Sequence, residues 1–413
     1  MSRQNRRVLD CVVIGAGQAG LATSFHLSRL GVEHVVLERG RVAETWRTTR
    51  WDSFHLNTPN WCTQLPGLEP SDLDPDAFAP LAEVIETLAG YADRIDAPVE
   101  TAEVRALGAS RAGFELALGD DVLAARSVVV ATGAFQQPLT NPAAGAVPGG
   151  VLQLHTSRYR GPGDLPEGGV LVVGSGQSGC EIAFELLETG RDVHLAVGRC
   201  GWMARRYRGR ELMRWMVDIG AADETPDVLP RPEARVAGNV VVSGSRGGRD
   251  CHALVLERAG ARLYGRFQGL EPGGRAVFAP DLDDALEFGR TFERDFSRRC
   301  DGWADAQGLE LPPAVPERER PVAEHDPTEL VLGREGVKSV LWAGGYRPAF
   351  SWIDLPIFDD LGFPRAERGV TDVPGLAFVG LPWMHTRVAP APRGGGRRRP
   401  RRAGDRPPPR VVR

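Results

Sequence analysis

The 413-residue chain contains no run of the roughly 18–20 consecutive apolar residues that a membrane span needs. Met1–Arg7 is polar and leads straight into a strand-like stretch, not into the apolar core of a signal peptide. No membrane partner is expected, and a cytoplasmic location is. The six cysteines Cys11, Cys62, Cys180, Cys200, Cys251 and Cys300 include no C-x-x-C pair, which argues against a disulfide framework, the usual zinc spacings and a dithiol redox centre. They read as small buried hydrophobes. Lysine is almost missing, with Lys338 the single instance. Of 50 basic and 54 acidic residues, ten Arg and one Asp fall in 387–413, which leaves 40 against 53, a net of −13, for the body. Nucleic-acid binding would call for a broad basic face, and the acidic body excludes such a partner from the expectations. What is present is ordinary for a globular protein, 42% hydrophobic and 25% charged, with a length that suggests two or three domains.

Leu9–Ile14 is a short apolar run that breaks into Gly15-Ala16-Gly17-Gln18-Ala19-Gly20, followed by apolar residues at helical spacing over Leu21–Leu30 and a second apolar run ending in Glu38. That is strand, tight turn, helix, strand. In a G-x-G-x-x-G turn the first glycine makes the bend, the second admits the pyrophosphate, and the third lets helix and strand pack closely. The helix N-terminus then offers free N–H groups to the anion. Gly15, Gly17 and Gly20 hold these places, and Glu38 is positioned to accept hydrogen bonds from an adenosine ribose.

The same order recurs about 159 residues later. Val170–Val173 leads into Gly174-Ser175-Gly176-Gln177-Ser178-Gly179, then a helical Cys180–Glu188 and a strand-like Val193–Val197. Here Val197 stands where the first copy has its carboxylate, and Arg199, Arg205 and Arg206 follow. Guanidinium groups suit a 2′-phosphate, so NADPH is expected at Gly174, Gly176, Gln177, Ser178 and Gly179. The run Arg205-Arg206-Tyr207-Arg208-Gly209-Arg210 reads as an anion pocket for a cofactor phosphate or an acidic substrate. Strand-like runs at Ser127–Val130, Ser339–Trp342 and Leu376–Val379 and a helix over Leu282–Asp305 complete an α/β pattern.

Two dinucleotide turns with the acidic one first resemble the FAD-plus-NADPH flavoproteins, and more closely the flavin-containing monooxygenase-like oxidoreductases. The resemblance spans about residues 8–386. It rests on both fingerprints, Trp46-Arg47, the segment Trp51–Trp61, Ala131-Thr132-Gly133 and Pro374–Gly380. It implies two Rossmann-like dinucleotide-binding domains with a discontinuous FAD domain: residues 8–150 and a return over 331–386 for FAD, and 165–330 for NADPH. It implies too that NADPH reduces the flavin and that O2 adds to give a C4a-(hydro)peroxyflavin, which oxygenates a small organic substrate.

Trp46, Arg47, Thr132, Gly133 and Gly380 then belong to the flavin site. Asn57 stands where several relatives place an Asn beside flavin and nicotinamide, so the resemblance makes it the candidate catalytic residue, a stabiliser of the oxygen intermediate; its other reading is a turn residue before Thr58-Pro59. Trp46, Trp51, Phe54 and Trp61 could wall the flavin or simply pack. His55 and His155 read as structural histidines ahead of proton carriers. Two departures stand out: Ala343-Gly344-Gly345 lacks the family's Thr, and of the F-x-G-x-x-x-H-x-x-x-W/Y pattern only His155 and Tyr159 are present. An NADPH oxidase or flavin reductase without oxygen insertion, or a non-enzymatic redox sensor, would use the same fingerprints. Finally, the match stops at Thr386, and 387–413 has the Arg, Pro, Gly and Ala bias of a frameshifted GC-rich gene or of a disordered basic tail.

Overall fold

The computed structural model describes residues 8–68, 73–235, 240–315 and 326–387; the Arg-rich stretch 388–413 lies outside them. Two sheets organise the chain, the first mixed around a parallel core and the second parallel. In the first, the strand Val8–Ile14, buried from Cys11 on, pairs in parallel with His34–Glu38 on one side and with Asp121–Val130 on the other, in the registers Val12↔Val35 and Ile14↔Val130. Val99–Thr101 extends this sheet beyond Glu38. An antiparallel hairpin, Ala106–Ser110 with Gly113–Leu118, lies against Asp121–Val130. From the far end of the sequence, Leu376–Phe378 joins the same strand in parallel, with Leu376 opposite Val128. The first unit is therefore discontinuous, and the helix Gln18–Arg29 starts where the strand order reverses.

The second sheet runs Arg262–Tyr264, Val193–Ala196, Gly169–Val173, Val337–Trp342, Leu152–His155, all parallel. Its central strand Gly169–Val173 is buried throughout, as a strand covered on both faces must be. A small antiparallel sheet of Phe267–Glu271, Arg275–Phe278 and Glu329–Val331 packs on it through Tyr264, Phe278, Phe267 and Trp342. Leu152–His155 and Val337–Trp342 correct the expected boundaries of 165–330: the second unit takes in chain on both sides of that range. The reason is register, since Val340 and Leu341 sit opposite Leu171 and Val172 and carry the second core with them. The long helix Leu282–Gln307 is present and belongs to this unit. Among the described residues no helix is long and apolar enough to cross a membrane.

Candidate active site

Both glycine turns are built alike. Gly15 has φ +107°, and a Cβ on it would lie 2.7 Å from the Ala131 carbonyl oxygen; a Cβ on Gly20 would lie 1.8 Å from the Gly15 oxygen. In the second turn Gly174 has φ +115°, with Ala343 oxygen at 2.7 Å, and a Cβ on Gly179 would lie 2.0 Å from the Gly174 oxygen. Gly17 and Gly176 differ from these: a Cβ there would meet nothing within 4 Å. The closed positions fix the turn, and the open ones leave room for a pyrophosphate to approach the backbone. The chain thus fits an adenine dinucleotide at both turns. Ala343 also occupies in the second unit the place of Ala131 in the first, so the missing threonine of Ala343-Gly344-Gly345 costs the turn nothing that its backbone needs.

At the first turn, Glu38 Oε2 accepts the Ala16 N–H at 2.9 Å and Oε1 accepts the Gly40 N–H at 3.0 Å. These bonds hold the carboxylate at the strand end with lone pairs left for a ribose. Gln136 donates to Thr132 Oγ1 at 2.7 Å and to the Gly133 carbonyl at 2.8 Å, and its Oε1 accepts the Ala349 N–H. The outgoing and returning connections are joined there. Gly380, at φ +81°, lies so close to the first helix that a Cβ would be 2.8 Å from Ala19 Cβ. Arg47 spends its Nε on the Val42 carbonyl at 3.0 Å.

Trp46, Trp51 and Phe54 cluster with ring centroids 5.2–5.7 Å apart. Trp61 does not join them; it packs by the second unit's Trp215 cluster under Arg214. What the sequence reading missed is Arg50, whose guanidinium lies over Trp46, Phe54 and Phe135 at 5.2–5.6 Å. Tyr346, from the returning connection, packs edge-on against Phe135 beside it. The spacing Trp46–Arg50, one helical turn, was the available signal. His155 Nε2 donates to the Gly345 carbonyl and Nδ1 accepts the Ser157 N–H, while burial lowers its pKa. It is a neutral structural histidine, on the wall of a cavity of about 240 Å³ that also includes Leu139, Arg158 and Trp342. His55 bonds the Ser53 carbonyl and is exposed to the same structural reading.

Asn57 joins the two units. Its Oδ1 accepts the Gly244 N–H at 3.1 Å, and its carbonyl accepts Arg205 Nη1 at 2.8 Å. Gln177, at the start of the second helix, pairs its amide with Val242 in both directions. Gln177 and Asn57 thus both hold the 242–244 loop. Ser178 lies half-buried in the same first turn.

The expectation for Arg205 and its neighbours needs correction. Arg205 is 1% exposed and ion-paired with Glu211, and it stacks on Phe78 at 4.3 Å. It is an interior cation, committed to the fold, and a 2′-phosphate cannot reach it without breaking that pair. Arg206 is exposed but donates to the Gly247 and Gly248 carbonyls. Arg208 and Arg210 pair with Asp301 and Asp218. Three of the four guanidinium groups of the run are thus paired with carboxylates, and Arg206 is held by backbone carbonyls. Arg199 is exposed, just beyond the strand Val193–Ala196 and the second turn.

All six cysteines are free, and burial raises the pKa of every one, that of Cys62 to about 12. Thiolate redox chemistry has no support in such surroundings.

A family model described as pyridine nucleotide-disulphide oxidoreductase matches residues 12–214. The CzcO-like oxidoreductase of Geobacillus kaustophilus is 30% identical over 395 residues, covering 92% of this chain and 93% of its own length. The indole-3-pyruvate monooxygenase YUCCA1 of Oryza sativa is 35% identical over 202 residues, 47% of this chain and 49% of its own. Among solved structures, a flavin monooxygenase mutant from Stenotrophomonas maltophilia shares the fold at TM-score 0.63, with 21% identity over 92% of each chain. By its full-length match, the chain belongs to the family of CzcO-like oxidoreductases.

Proposed function

We propose that the chain is an FAD-dependent, NADPH-using monooxygenase that acts with O2 on a small organic substrate in the cytoplasm. The observation that carries this is the pair of like-built turns that differ at the end of the next strand: Glu38 in one, Val197 and the exposed Arg199 in the other. FAD is assigned to the first turn and its returning segment, NADPH to the second. FAD, when bound, supplies the electron transfer and oxygen activation that no side chain here provides. The chain's own residues bind and orient. Glu38 and the two helix N-termini hold the nucleotides, Trp46, Trp51 and Phe54 exclude water, and Asn57 with the 242–244 loop fixes where the two sites meet.

Arg199→Ala is expected to raise the apparent constant for NADPH about one to two decades more than that for NADH, the worth of a charge-assisted contact of roughly 1.5–3 kcal/mol. Titrating both cofactors checks it, and equal responses would show that Arg199 does not read the 2′-phosphate. Arg205→Ala should lower thermal stability and leave that ratio alone.

Oxygen insertion itself is tested by stoichiometry. With a true substrate drawn from a panel of small organic compounds, NADPH and O2 should be consumed one to one with oxygenated product and little H2O2. Quantitative release of H2O2 with every compound would favour an oxidase.

A further inference from the structure

The cavity of about 240 Å³ that His155 lines lies at the carboxyl ends of two paired parallel strands, Leu152–His155 and Val337–Trp342, where His155 and Trp342 stand opposite each other. Ligands of open α/β sheets are received at such strand ends. The second glycine turn follows the next strand, with Trp342 opposite Val173.

The polar groups around the cavity divide into spent and free. Gln153 spends both ends of its amide, accepting from Trp342 Nε1 at 3.1 Å and donating to the Ala144 carbonyl at 3.0 Å. His155 spends both ring nitrogens on Gly345 and Ser157. Asn141 Oδ1 accepts the Ala143 N–H at 2.9 Å, which leaves its Nδ2 hydrogens unused. Arg158 is exposed, and its guanidinium has no ion-pair or hydrogen-bond partner among the described residues. Arg160, two residues on, is by contrast spent on the carbonyls of Thr48, Ser157 and Tyr159. No Asp or Glu lines the cavity. A free cation therefore stands beside walls of Leu139, Leu154 and the Trp342 ring. Leu139 is 39% exposed, apolar surface that a guest would cover.

We propose that this cavity is an accessory site for a small carboxylate with an apolar body, the carboxylate paired with Arg158 and the body set against Leu139, Leu154 and Trp342. Charge selects the head group, because the guanidinium fork matches a carboxylate at two points. Volume selects the size: the cavity is smaller than the roughly 300–1,000 Å³ of pockets for drug-sized ligands, so the guest is a single ring or a short chain. The site is accessory because the path from His155 to the Trp46 cluster runs through Tyr346, Phe135 and Arg50, each 5.2–5.3 Å from the next. The proposal goes beyond the monooxygenase reading and does not depend on the assignment of either nucleotide.

The test is calorimetric titration of phenylacetate and hexanoate, one ring and one chain, and of the neutral phenylacetamide into flavin-loaded protein. The acids are expected to bind, and the amide at least about tenfold more weakly than phenylacetate. Arg158→Ala should bring phenylacetate down to the level of the amide, and Arg158→Lys, which keeps the charge and loses the fork, should fall between. Arg158 is exposed, so both variants should unfold at the wild-type temperature. Ala144→Leu, which narrows the cavity and leaves Arg158 in place, should weaken both acids at least tenfold. With NADPH and O2 present, the acids should be recovered unchanged. No binding heat for either acid, equal affinity for acid and amide, or wild-type affinity in Arg158→Ala or Ala144→Leu would overturn the proposal. Oxygenation of an acid that is lost in Arg158→Ala would overturn the accessory role, since the cavity would then hold the substrate. The binding measurements involve no turnover, so their failure would leave the monooxygenase reading standing.

Discussion

Glu38→Ala is expected to leave purification with less than about a tenth of the wild-type flavin content, while its affinity for NADPH stays within about twofold. A carboxylate that accepts from ribose hydroxyls makes charge-assisted bonds worth roughly 1.5–3 kcal/mol each. Losing even one weakens retention by about one to two decades. The substitution also releases the Ala16 and Gly40 N–H groups that Glu38 now satisfies, so part of the loss would come through a looser turn. Glu38→Gln separates the two causes. One amide oxygen can still serve one backbone donor, but the charge is gone, and flavin content between those of wild type and Ala is expected. Flavin-to-protein absorbance ratios, with and without added FAD, measure both variants. Equal losses of flavin and NADPH binding would contradict the assignment of FAD to the first turn.

Alanine at the glycines of either turn should divide them sharply. At Gly20 the new methyl would sit 1.8 Å from a carbonyl oxygen of the same turn, an overlap that no side-chain movement relieves. Gly20→Ala is expected to destabilise the fold by on the order of 4 kcal/mol or more, a cost reserved for such clashes. Gly17 has an extended backbone, φ −87° and ψ −174°, which any residue adopts, and its Cβ would point into open space. Gly17→Ala should therefore change apoprotein stability by less than about 0.5 kcal/mol. It should nonetheless abolish flavin retention, because the methyl stands where the pyrophosphate approaches. Gly176, at φ −73° and ψ −176°, is equally open, and Gly176→Ala should keep the flavin and lose the pyridine nucleotide. Thermal unfolding of the apoproteins checks the stability half of this prediction.

The features written in short stretches of sequence were legible there. The strand Val8–Ile14, both glycine turns, Glu38 at a strand end and the helix Leu282–Gln307 each follow from local apolar spacing and glycine placement. Features that depend on distant partners were not. The strand Leu152–His155 gains its place only by pairing with Val337–Trp342, nearly 190 residues on. The Arg205–Arg210 run looked like free positive charge in part because Asn57, Asp301 and the 247–248 carbonyls lie far along the chain, whereas Glu211 and Asp218, which pair with Arg205 and Arg210, stand close by in sequence but are not marked there as partners. Asn57 showed both of its readings in the sequence; its bond to Gly244 now gives it a structural task at the very place where the resemblance puts it beside the flavin. Trp61 shared a short aromatic segment with Trp51 and Phe54, yet the turn at Pro59 sends it to another cluster.

The most direct measurement is the anaerobic absorption spectrum of flavin-loaded wild type and Gly176→Ala on addition of NADPH, followed by dithionite. If the two turns hold two different nucleotides, NADPH bleaches the wild-type flavin at once. It leaves that of Gly176→Ala oxidised, and dithionite then bleaches both. Bleaching of Gly176→Ala by NADPH at the wild-type rate, or loss of its flavin, would contradict the account.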